Sequence, residues 1–337
     1  MAESRFIGTS VRRLRWALPA SIGLAAGAWA LFSIFASSAS ATPTCTIYWT
    51  GHTSTAWSTS SNWSLSDGGS SAGGTPGATD YVCMSTAPTR SAVVYGAGAK
   101  SVTGINFAKT ATVTPSLEIN SGALSVGNSN GSNASTINNL TVDGSQTIGG
   151  TSATNLTGTT SFASAAIVAG TGVKTVSGTS EIPASSYLFV GTGTNTTGDL
   201  ANSGSFTLDS GSIIYLNTLS SAAPATFANS GTLTMGDSSQ LYANGSGAVA
   251  PTVTNSGTIT SAPGINTAYI TSAFTNTGAI TWTFGQLNLG AGDIGTTTDT
   301  GTMAISSGAD VDLTAGTRTI AGSVSGAGHL QGTGGNV

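Results

Sequence analysis

The sequence contains very few charged side chains, which make up only 7% of its 337 residues. Segments rich in Leu, Glu and Lys, from which stable helices are built, are also scarce, and this argues against a helical bundle or an α/β enzyme. Gly, Ser, Thr, Asn and Ala fill most of the chain instead. β-Branched residues are frequent and the net charge is only −4, so the composition is not that of a disordered chain either.

Cysteine and histidine are equally scarce, with two of each in the whole chain: Cys45, Cys83, His52 and His329. Neither cysteine belongs to a closely spaced pair, and two isolated histidines do not complete a ligand set, so we expect no metal site and no cofactor. The first residues of the chain, described next, predict export to an oxidising compartment, where two cysteines are expected to pair. We therefore predict a Cys45–Cys83 disulfide.

The first 41 residues have the pattern of a secretory signal peptide. Four arginines between Arg5 and Arg15 precede an apolar run over residues 16–36, and Ala39–Ala41 has the small-x-small pattern of a cleavage site. We predict cleavage after Ala41 and a secreted or cell-surface location. The alternative is an uncleaved segment that anchors the chain, since the apolar run is close to membrane-spanning length.

Removal of the signal peptide would change the charge balance. It takes away four arginines and one glutamate, which leaves five basic and twelve acidic residues and a net charge of −7. The remaining basic residues are scattered along the chain. Because no basic patch remains, we expect neither nucleic acid nor an anionic membrane as a partner.

Residues 42–100 differ from the rest of the chain in their high tryptophan content. The strings TIYW and DYVCM predict two short strands that each carry one cysteine, so the disulfide would hold this module together. The pattern W-x-G, W, N-W and P-G-x-x-D-x-V, from Trp49 to Val82, resembles the opening module of many bacterial secreted β-helix proteins and autotransporter passengers. We expect Trp49, Trp57 and Trp63 to close the open end of a β-helix. The alternative is a glycan-binding module that uses their ring faces.

The remaining residues, 101–337, contain a short string that recurs at nearly regular steps. Each copy has Ser-Gly or Thr-Gly after an asparagine, and four copies begin 27, 26 and 21 residues apart, at Asn202, Asn229, Asn255 and Asn276. Degenerate copies begin at Asp299 and at Asn120, and the stretch between Asn120 and the first regular copy, rich in TGT and SGT, is expected to hold eroded ones. Repeats of this length are typical of a solenoid.

Apolar and polar residues alternate with period two inside each unit, as in strands with one buried face. The alternation predicts a core set and a solvent-facing set: Leu233, Met235, Ile259, Ile280 and Trp282 inside, and Thr234, Thr260 and Thr281 outside. Each unit also has a third short apolar stretch, such as SIIYL or QLYA. Three strands in one such repeat make one coil of a right-handed parallel β-helix, so the predicted fold is all-β.

Stacked coils explain why the same turn recurs, because equivalent corners lie on top of one another at the strand spacing. We expect Gly and Asn at the turn because both tolerate left-handed backbone angles. Stacked Asn side chains are also expected to hydrogen-bond along the axis, as amide ladders do in cross-β structures. The pattern continues to residue 337, as expected of a fragment, of an irregularly capped β-helix or of one that assembles end to end.

The NSGTLT units resemble those of hemagglutinin-like and autotransporter-like passengers. In such families the β-helix usually serves as an adhesive or structural stalk. The resemblance therefore implies an exported, non-catalytic protein that acts through its surface, with surface polysaccharide or other cell-surface molecules as partners.

Parallel β-helices also include polysaccharide lyases and hydrolases, so a carbohydrate-active enzyme is the first alternative. Asp310 and Asp312 are the best carboxylate pair, but Val311 and Leu313 are the natural core residues of that strand, so we expect both carboxylates to face solvent. His329 has no acidic neighbour in the sequence and is expected on the surface. We therefore assign no catalytic and no metal-binding residue.

The second alternative is an ice- or polysaccharide-binding solenoid. Stacking would align outward hydroxyl groups into two columns on a flat face, formed by Thr232, Thr234, Thr258, Thr260 and Thr281. Flat threonine arrays resemble those of ice-binding solenoids and could also lie against a crystalline polysaccharide. Threonine also suits any solvent-facing strand, so the columns have a purely structural explanation as well.

Overall fold

The computed structural model describes residues 43–70, 73–127, 135–191, 198–217, 224–244, 250–290, 296–315 and 317–334. All of them belong to one compact unit, Thr42–Val337. The predicted signal peptide, residues 1–41, lies outside the described residues. No helix in the described part of the chain is long and apolar enough to cross a membrane.

The described chain is a right-handed parallel β-helix, as predicted from the repeats. Its strands stack into three sheets of 11 strands, and successive strands of a coil enter sheets 1, 2 and 3 in turn. Side chains that point inward from all three sheets form one continuous apolar core, from Ile47 to Leu313. This core runs along the axis, since each coil buries its inner face only against its neighbours.

The strand bounds follow the order of the sheets. In sheet 1 they are Trp63–Ser64, Ile47–Trp49, Tyr81–Met84, Gly104–Phe107, Ser135–Ile137, Thr154–Leu156, Lys174–Val176, Asp199–Asn202, Thr226–Asn229, Thr252–Asn255 and Ala273–Asn276. In sheet 2 they are Ala92–Tyr95, Ser116–Ile119, Asn139–Val142, Thr159–Phe162, Thr179–Ile182, Ser205–Leu208, Thr232–Met235, Thr258–Ser261, Ala279–Trp282, Thr302–Ile305 and Val324–Gly326. In sheet 3 they are Ala99–Val102, Ala123–Val126, Thr147–Gly149, Ala165–Val168, Tyr187–Val190, Ile213–Asn217, Gln240–Asn244, Thr267–Ile270, Gln286–Leu289, Asp310–Leu313 and His329–Gly332. A further strand pair joins Thr296–Asp299 to Thr317–Ile320, and a 3-10 turn covers Ser60–Asn62.

The period-two prediction of the core is confirmed. The five predicted core residues are fully buried: Leu233, Met235, Ile259, Ile280 and Trp282. The predicted outer residues Thr234 and Thr260 point outward and are half-buried, while Thr281 is exposed. The partial burial has a simple cause, because outward side chains of adjacent coils stand only about 4.8 Å apart and cover each other's flanks.

The strands of the tryptophan-rich module are continuous with the sheets of the solenoid. Ile47–Trp49 pairs in parallel with Tyr81–Met84 and antiparallel with Trp63–Ser64, which forms the edge of sheet 1. Ala92–Tyr95 and Ala99–Val102 begin sheets 2 and 3. The first coil therefore comes largely from the tryptophan-rich module and ends at Val102.

Three tryptophans pack together at this end of the β-helix. Trp49, Trp57 and Trp63 are 0–1% exposed, and the ring of Trp63 meets those of Trp49 and Trp57 edge to face, with centroids 4.9 and 4.8 Å apart. The indole N–H of Trp49 donates to the carbonyl of Arg90, and that of Trp63 to the carbonyl of Trp57. Buried rings leave no face for a sugar, so the cluster supports the cap interpretation over the glycan-binding one.

The predicted disulfide is confirmed. Cys45 and Cys83 are bonded, with their Cα atoms 5.7 Å apart. Cys83 lies in the strand Tyr81–Met84, as expected. Cys45 was expected within the other strand but lies just before it, since that strand is Ile47–Trp49. The bond therefore fixes the N-terminal end of the described chain to the strand on which the stack begins.

An amide ladder runs along the core between sheets 1 and 2, as predicted. Each Asn donates from Nδ2 to Oδ1 of the next across 2.7 Å, in the order Asn202, Asn229, Asn255 and Asn276. The same Nδ2 atoms of the first three also donate to backbone carbonyls, those of Thr232, Thr258 and Ala279. The four side chains are at most 1% exposed, and the ladder gives the amide N–H groups of the first three their acceptors, whereas Nδ2 of Asn276, the last member, donates to no described residue.

The reason predicted for the corner glycines is wrong. Gly204, Gly231, Gly257 and Gly278 do not have positive φ angles. A Cβ atom at Gly231 would instead overlap the carbonyl oxygen of Gly204, and the same holds at each following corner. Glycine is required because the stacked corners approach one another too closely for a side chain.

Two predicted copies of the repeat have different outcomes. Asp299 does continue the Asn column, because its Oδ1 accepts the backbone N–H of Asn276 across 2.7 Å. Asn120 does not, since it follows the sheet 2 strand Ser116–Ile119 and is exposed at the next corner of the coil. The string Asn-Ser-Gly forms tight turns in many contexts, so it does not identify one particular corner. The expected eroded copies are confirmed, because Gly158 and Gly178 lie in the corner stack that continues to Gly204.

Candidate functional site

The predicted threonine columns lie on the outer face of sheet 2. Strand pairing aligns them in register: Thr232 with Thr258 in one column, and Thr234, Thr260 and Thr281 in the other. Ala279 follows Thr258 and interrupts the first column. The result is a flat strip of hydroxyl groups at the strand spacing, and its binding to any lattice stays a prediction.

Asp310 and Asp312 lie on the outer face of the last described coils, in the sheet 3 strand Asp310–Leu313. Asp310 is half-buried, but Asp312 is only 4% exposed, so the expectation that both face solvent is wrong. Two neighbours cover the Asp312 carboxylate: Gln286 donates to Oδ2 across 3.1 Å, and Thr333 donates from 2.9 Å. These donors come from adjacent coils, which the local alternation does not reveal.

His329 has an acidic partner that the sequence did not indicate. Its Nδ1 lies 2.9 Å from Oδ1 of Asp310, because strand pairing places the two residues side by side although they are 19 positions apart. The imidazole is largely exposed, as expected, so the contact is a surface ion pair when the ring is protonated. Among the described residues no three His, Cys, Asp or Glu side chains cluster in a way that could hold a metal ion.

Lys174 lies on the inner face of sheet 1 and is fully buried. Its Nζ donates to the carbonyls of Gly172 and Ser152 across 2.8 and 3.1 Å. Burial lowers the pKa of this amine from 10.5 to about 8, and the charge of Asp199 opposes the shift in part. The sequence signal is the string VKTV, in which Lys174 takes an inward position of the alternation.

A second buried cation ends the amide ladder. Arg318 Nη1 lies 2.7 Å from Oδ2 of Asp299 and also donates to the carbonyl of Phe274 across 3.1 Å. Its guanidinium lies 5.4 Å from the centre of the Phe274 ring. The contacts assign a structural role to Arg318, because they compensate the two buried charges within the core.

Aromatic rings lie in contact on the outer face of sheet 3, a feature that the sequence analysis missed. We call this the aromatic face: Tyr187, Phe189, Tyr215 and Tyr242, from the consecutive strands Tyr187–Val190, Ile213–Asn217 and Gln240–Asn244. Phe189 stacks on Tyr215 with centroids 5.0 Å apart, and Tyr242 meets Tyr215 at 5.7 Å. The alternation in YLFV and IIYL was the available signal, since it turns these rings away from the core.

No protein-family model, curated protein or solved structure matches the chain. The resemblance to autotransporter and hemagglutinin-like passengers therefore rests on the repeat string, the tryptophan pattern and the parallel β-helix itself. A fold of this kind serves binding, structural and catalytic proteins alike, so function has to be inferred from the surface.

Proposed function

We propose that the chain is an exported structural or adhesive rod, non-catalytic, that acts through its outer surface. The observation that carries the proposal is the register of neutral side chains on the outer faces, where strand pairing repeats hydroxyl and aromatic groups over successive coils. Replicated weak contacts along one axis add up to strong attachment without a deep pocket.

The interior supports the role of a stiff rod. The amide ladder links four coils through buried hydrogen bonds, from Asn202 to Asn276, and the Asp299–Arg318 ion pair extends it toward the C-terminus. At the opposite end the tryptophan cluster covers the core. Closely packed, hydrogen-bonded interiors of this kind transmit load and resist local opening.

The disulfide supports export. A Cys45–Cys83 bond is expected in a non-reducing, extracellular environment, which agrees with the predicted signal peptide. Surface polysaccharide or other cell-surface molecules, such as an autotransporter-like adhesin would meet, are the partners we propose.

The ionisable groups support a non-catalytic role. A β-helix enzyme collects its site in one groove from several successive coils. Here Lys174 and Arg318 are buried in structural contacts, and Asp312 is covered by its hydrogen-bond donors. Asp310 and His329 form a contact on an open face at the last described coils.

The test compares attachment with turnover in the mature exported protein. We expect the protein to bind polysaccharide particles, or the surface of the cells that export it or of host cells. We also expect it to release no sugar from pectins, xylans, glucans or chitin, with or without Ca²⁺. Reproducible turnover would contradict the proposal, and so would the absence of any attachment to cells and polysaccharides.

A carbohydrate-active enzyme is the second candidate, and the Asp310–His329 contact favours it because a carboxylate beside an imidazole can act in general acid–base catalysis. Its test is the variant Asp310→Asn. The matched control is Asp143→Asn, which changes a carboxylate that accepts one hydrogen bond from Ser164 at a turn. Turnover that Asp310→Asn removes and Asp143→Asn keeps would establish this candidate.

A lattice-binding solenoid is a third candidate, favoured by the register of the threonine columns. An ice-recrystallisation assay tests it with Thr234→Lys and Thr260→Lys, which disturb the flat strip and leave the core unchanged. Inhibition of recrystallisation by the unmodified protein, lost in the double variant, would place the function in this class.

A further inference from the structure

The aromatic face is not needed to build the core of its three strands. Inward positions of those strands are already filled by fully buried aliphatic residues: Leu188, Val190, Ile214, Leu216 and Leu241. The four aromatic rings stand on the opposite, solvent-facing side. Aromatic residues do suit strands, but contacting rings on three consecutive strands concentrate apolar surface at one place.

The geometry divides the aromatic face into a fixed centre and two free rings. Phe189 and Tyr215 stack nearly parallel, with an interplanar angle of 14°, and so cover each other's faces. Tyr187 and Tyr242 are inclined to Tyr215 by 49° and 81°, and each is 39% exposed. Two strand spacings separate the strands that carry these exposed rings, or about 10 Å along the axis.

Neutral polar groups surround the rings. Asn244 donates to Asn217 across 2.9 Å, which places two amides beside the aromatic residues on the same strands, and Gln240 adds a third. The phenol hydroxyls of Tyr187, Tyr215 and Tyr242 make no hydrogen bond to another described residue, so they remain available to a ligand.

Charge is absent from this region of sheet 3. The eight described strands from Ala123–Val126 to Gln286–Leu289 contain no Asp, Glu, Lys or Arg. An uncharged face on a weakly acidic protein neither attracts nor compensates an anionic ligand. Protein partners are usually steered and oriented by complementary charges, and these strands carry none, so a neutral ligand is the occupant that the face fits.

We infer that the aromatic face binds a neutral polysaccharide chain. The apolar C–H faces of its sugar rings pack on Tyr187 and Tyr242, and its hydroxyl groups bond with the phenol hydroxyls and with the amide of Gln240. Tyrosine suits this task because one end of its ring is apolar and the other is wet. The inference rests on the proposed function, since it names a ligand class for a protein that acts through its surface.

The experiment is affinity electrophoresis of the mature exported protein in gels that contain a neutral polysaccharide, such as a soluble β-glucan or xyloglucan, with polygalacturonate as the anionic comparison. We expect the neutral gels to retard the protein and the anionic gel to leave its mobility unchanged. The double variant Tyr187→Ala, Tyr242→Ala should weaken binding by about tenfold or more. Tyr187→Phe with Tyr242→Phe, which keeps the rings and removes two hydroxyls, should weaken it by about threefold.

The matched control is Thr254→Ala with Thr275→Ala, which removes outward side chains from adjacent strands of sheet 1, outside every binding surface proposed above, and should leave the retardation unchanged. Circular dichroism verifies that all variants are folded, as expected for changes at outward positions. Retardation that is lost in the threonine variant and kept in the tyrosine variant would overturn the inference. Preferential retardation by polygalacturonate, or none in neutral gels, would overturn it as well.

A second copy of the chain could also cover the aromatic face, and analytical ultracentrifugation distinguishes this self-association from polysaccharide binding. Concentration-dependent association that Tyr187→Ala and Tyr242→Ala abolish, without any effect of neutral polysaccharide, would contradict the inference. The two proposals also fail separately. Sugar release would contradict the non-catalytic role even if the tyrosines bind glycan, whereas attachment to cells without retardation by neutral polysaccharide would contradict only the aromatic face.

Discussion

One inward column at the end of the sheet 1 strands has two chemically different halves. In chain order the column contains Ile137, Leu156 and Val176, and then Asn202, Asn229, Asn255 and Asn276. The parallel register is the same on both sides of the boundary, where Val176 pairs with Asn202. The stacked backbone therefore accepts either apolar or amide side chains, provided that neighbours in the column match.

The two halves differ in how much each residue depends on its neighbours. An apolar residue gains stability from burial alone, roughly in proportion to its area. The inner ladder amides, Asn229 and Asn255, are each both donor and acceptor, so removal of either one takes hydrogen-bond partners from the coils on both sides. The amide half should therefore respond to mutation over a longer distance than the apolar half.

The largest expected effect comes from placing an isolated amide in the apolar half. Leu156→Asn faces Ile137 and Val176, so its amide is buried without a partner, and we expect a loss of about 4 kcal/mol in the free energy of unfolding. The matched variant Val176→Asn lies beside Asn202 and can extend the ladder, so its loss should be about half as large. Urea unfolding of both variants measures the difference, and equal losses would contradict the role of the matching neighbour.

Breaking the ladder from inside should cost nearly as much. In Asn229→Leu, Oδ1 of Asn255 and the carbonyl oxygen of Thr258 lose the N–H donor of residue 229, and Nδ2 of Asn202 loses its side-chain acceptor. We expect a loss of about 3 to 4 kcal/mol. Hydrogen exchange should report weaker protection in the coils on both sides of residue 229. A loss of protection confined to one coil would show that the ladder is not cooperative.

Lys174 gives the apolar half of the column a pH-dependent stability. Its folded pKa of about 8 lies below the unfolded value of 10.5, so the unfolded chain binds this proton more tightly. The resulting destabilisation is complete below pH 8 and disappears as the pH rises to 10.5, a gain of about 3 kcal/mol. Lys174→Met should lack this gain. The free energy of unfolding of the unmodified protein and of Lys174→Met is measured from pH 8 to 10.5, and the difference between them removes the contribution of the other titrating groups. A difference that stays constant over this range would contradict the lowered pKa of Lys174.

The smallest effect is expected on the outside of the amide half. Thr234→Asp changes an outward residue and should alter the unfolding free energy by less than about 0.5 kcal/mol. Leu233→Asp, one position earlier, buries an unpaired carboxylate and should unfold neighbouring coils. Circular dichroism of the two variants checks the register directly, since a shift by one residue would exchange their effects.

Features that depend on local sequence patterns could be predicted. Period-two alternation is local, so the burial of Leu233 and Trp282 followed from the residues beside them. The amide ladder could be predicted because an asparagine recurs at nearly constant steps along the sequence. The apolar half of the same column offers no such mark, because Leu156 and Val176 look like any other core residues. Asn120 was assigned to the wrong corner because the string Asn-Ser-Gly forms tight turns at more than one corner.

The missed features depend on contacts one coil apart. Asp312 is covered by Gln286 and Thr333, and Asp310 meets His329, only because coils of unequal length bring these positions into register. The aromatic face has the same origin, since Tyr215 and Tyr242 are 27 residues apart in the sequence and adjacent in sheet 3. Unequal loop lengths prevent the sequence alone from giving that register.

The most direct test of the proposed surface function measures binding and turnover in one sample. The mature exported protein is incubated with a panel of insoluble neutral polysaccharides, and both the bound fraction and the reducing sugar released are determined. We predict binding that Tyr187→Ala with Tyr242→Ala weakens, and no reducing sugar above the protein-free control. Release of reducing sugar that disappears in Asp310→Asn would contradict the account and identify the chain as an enzyme.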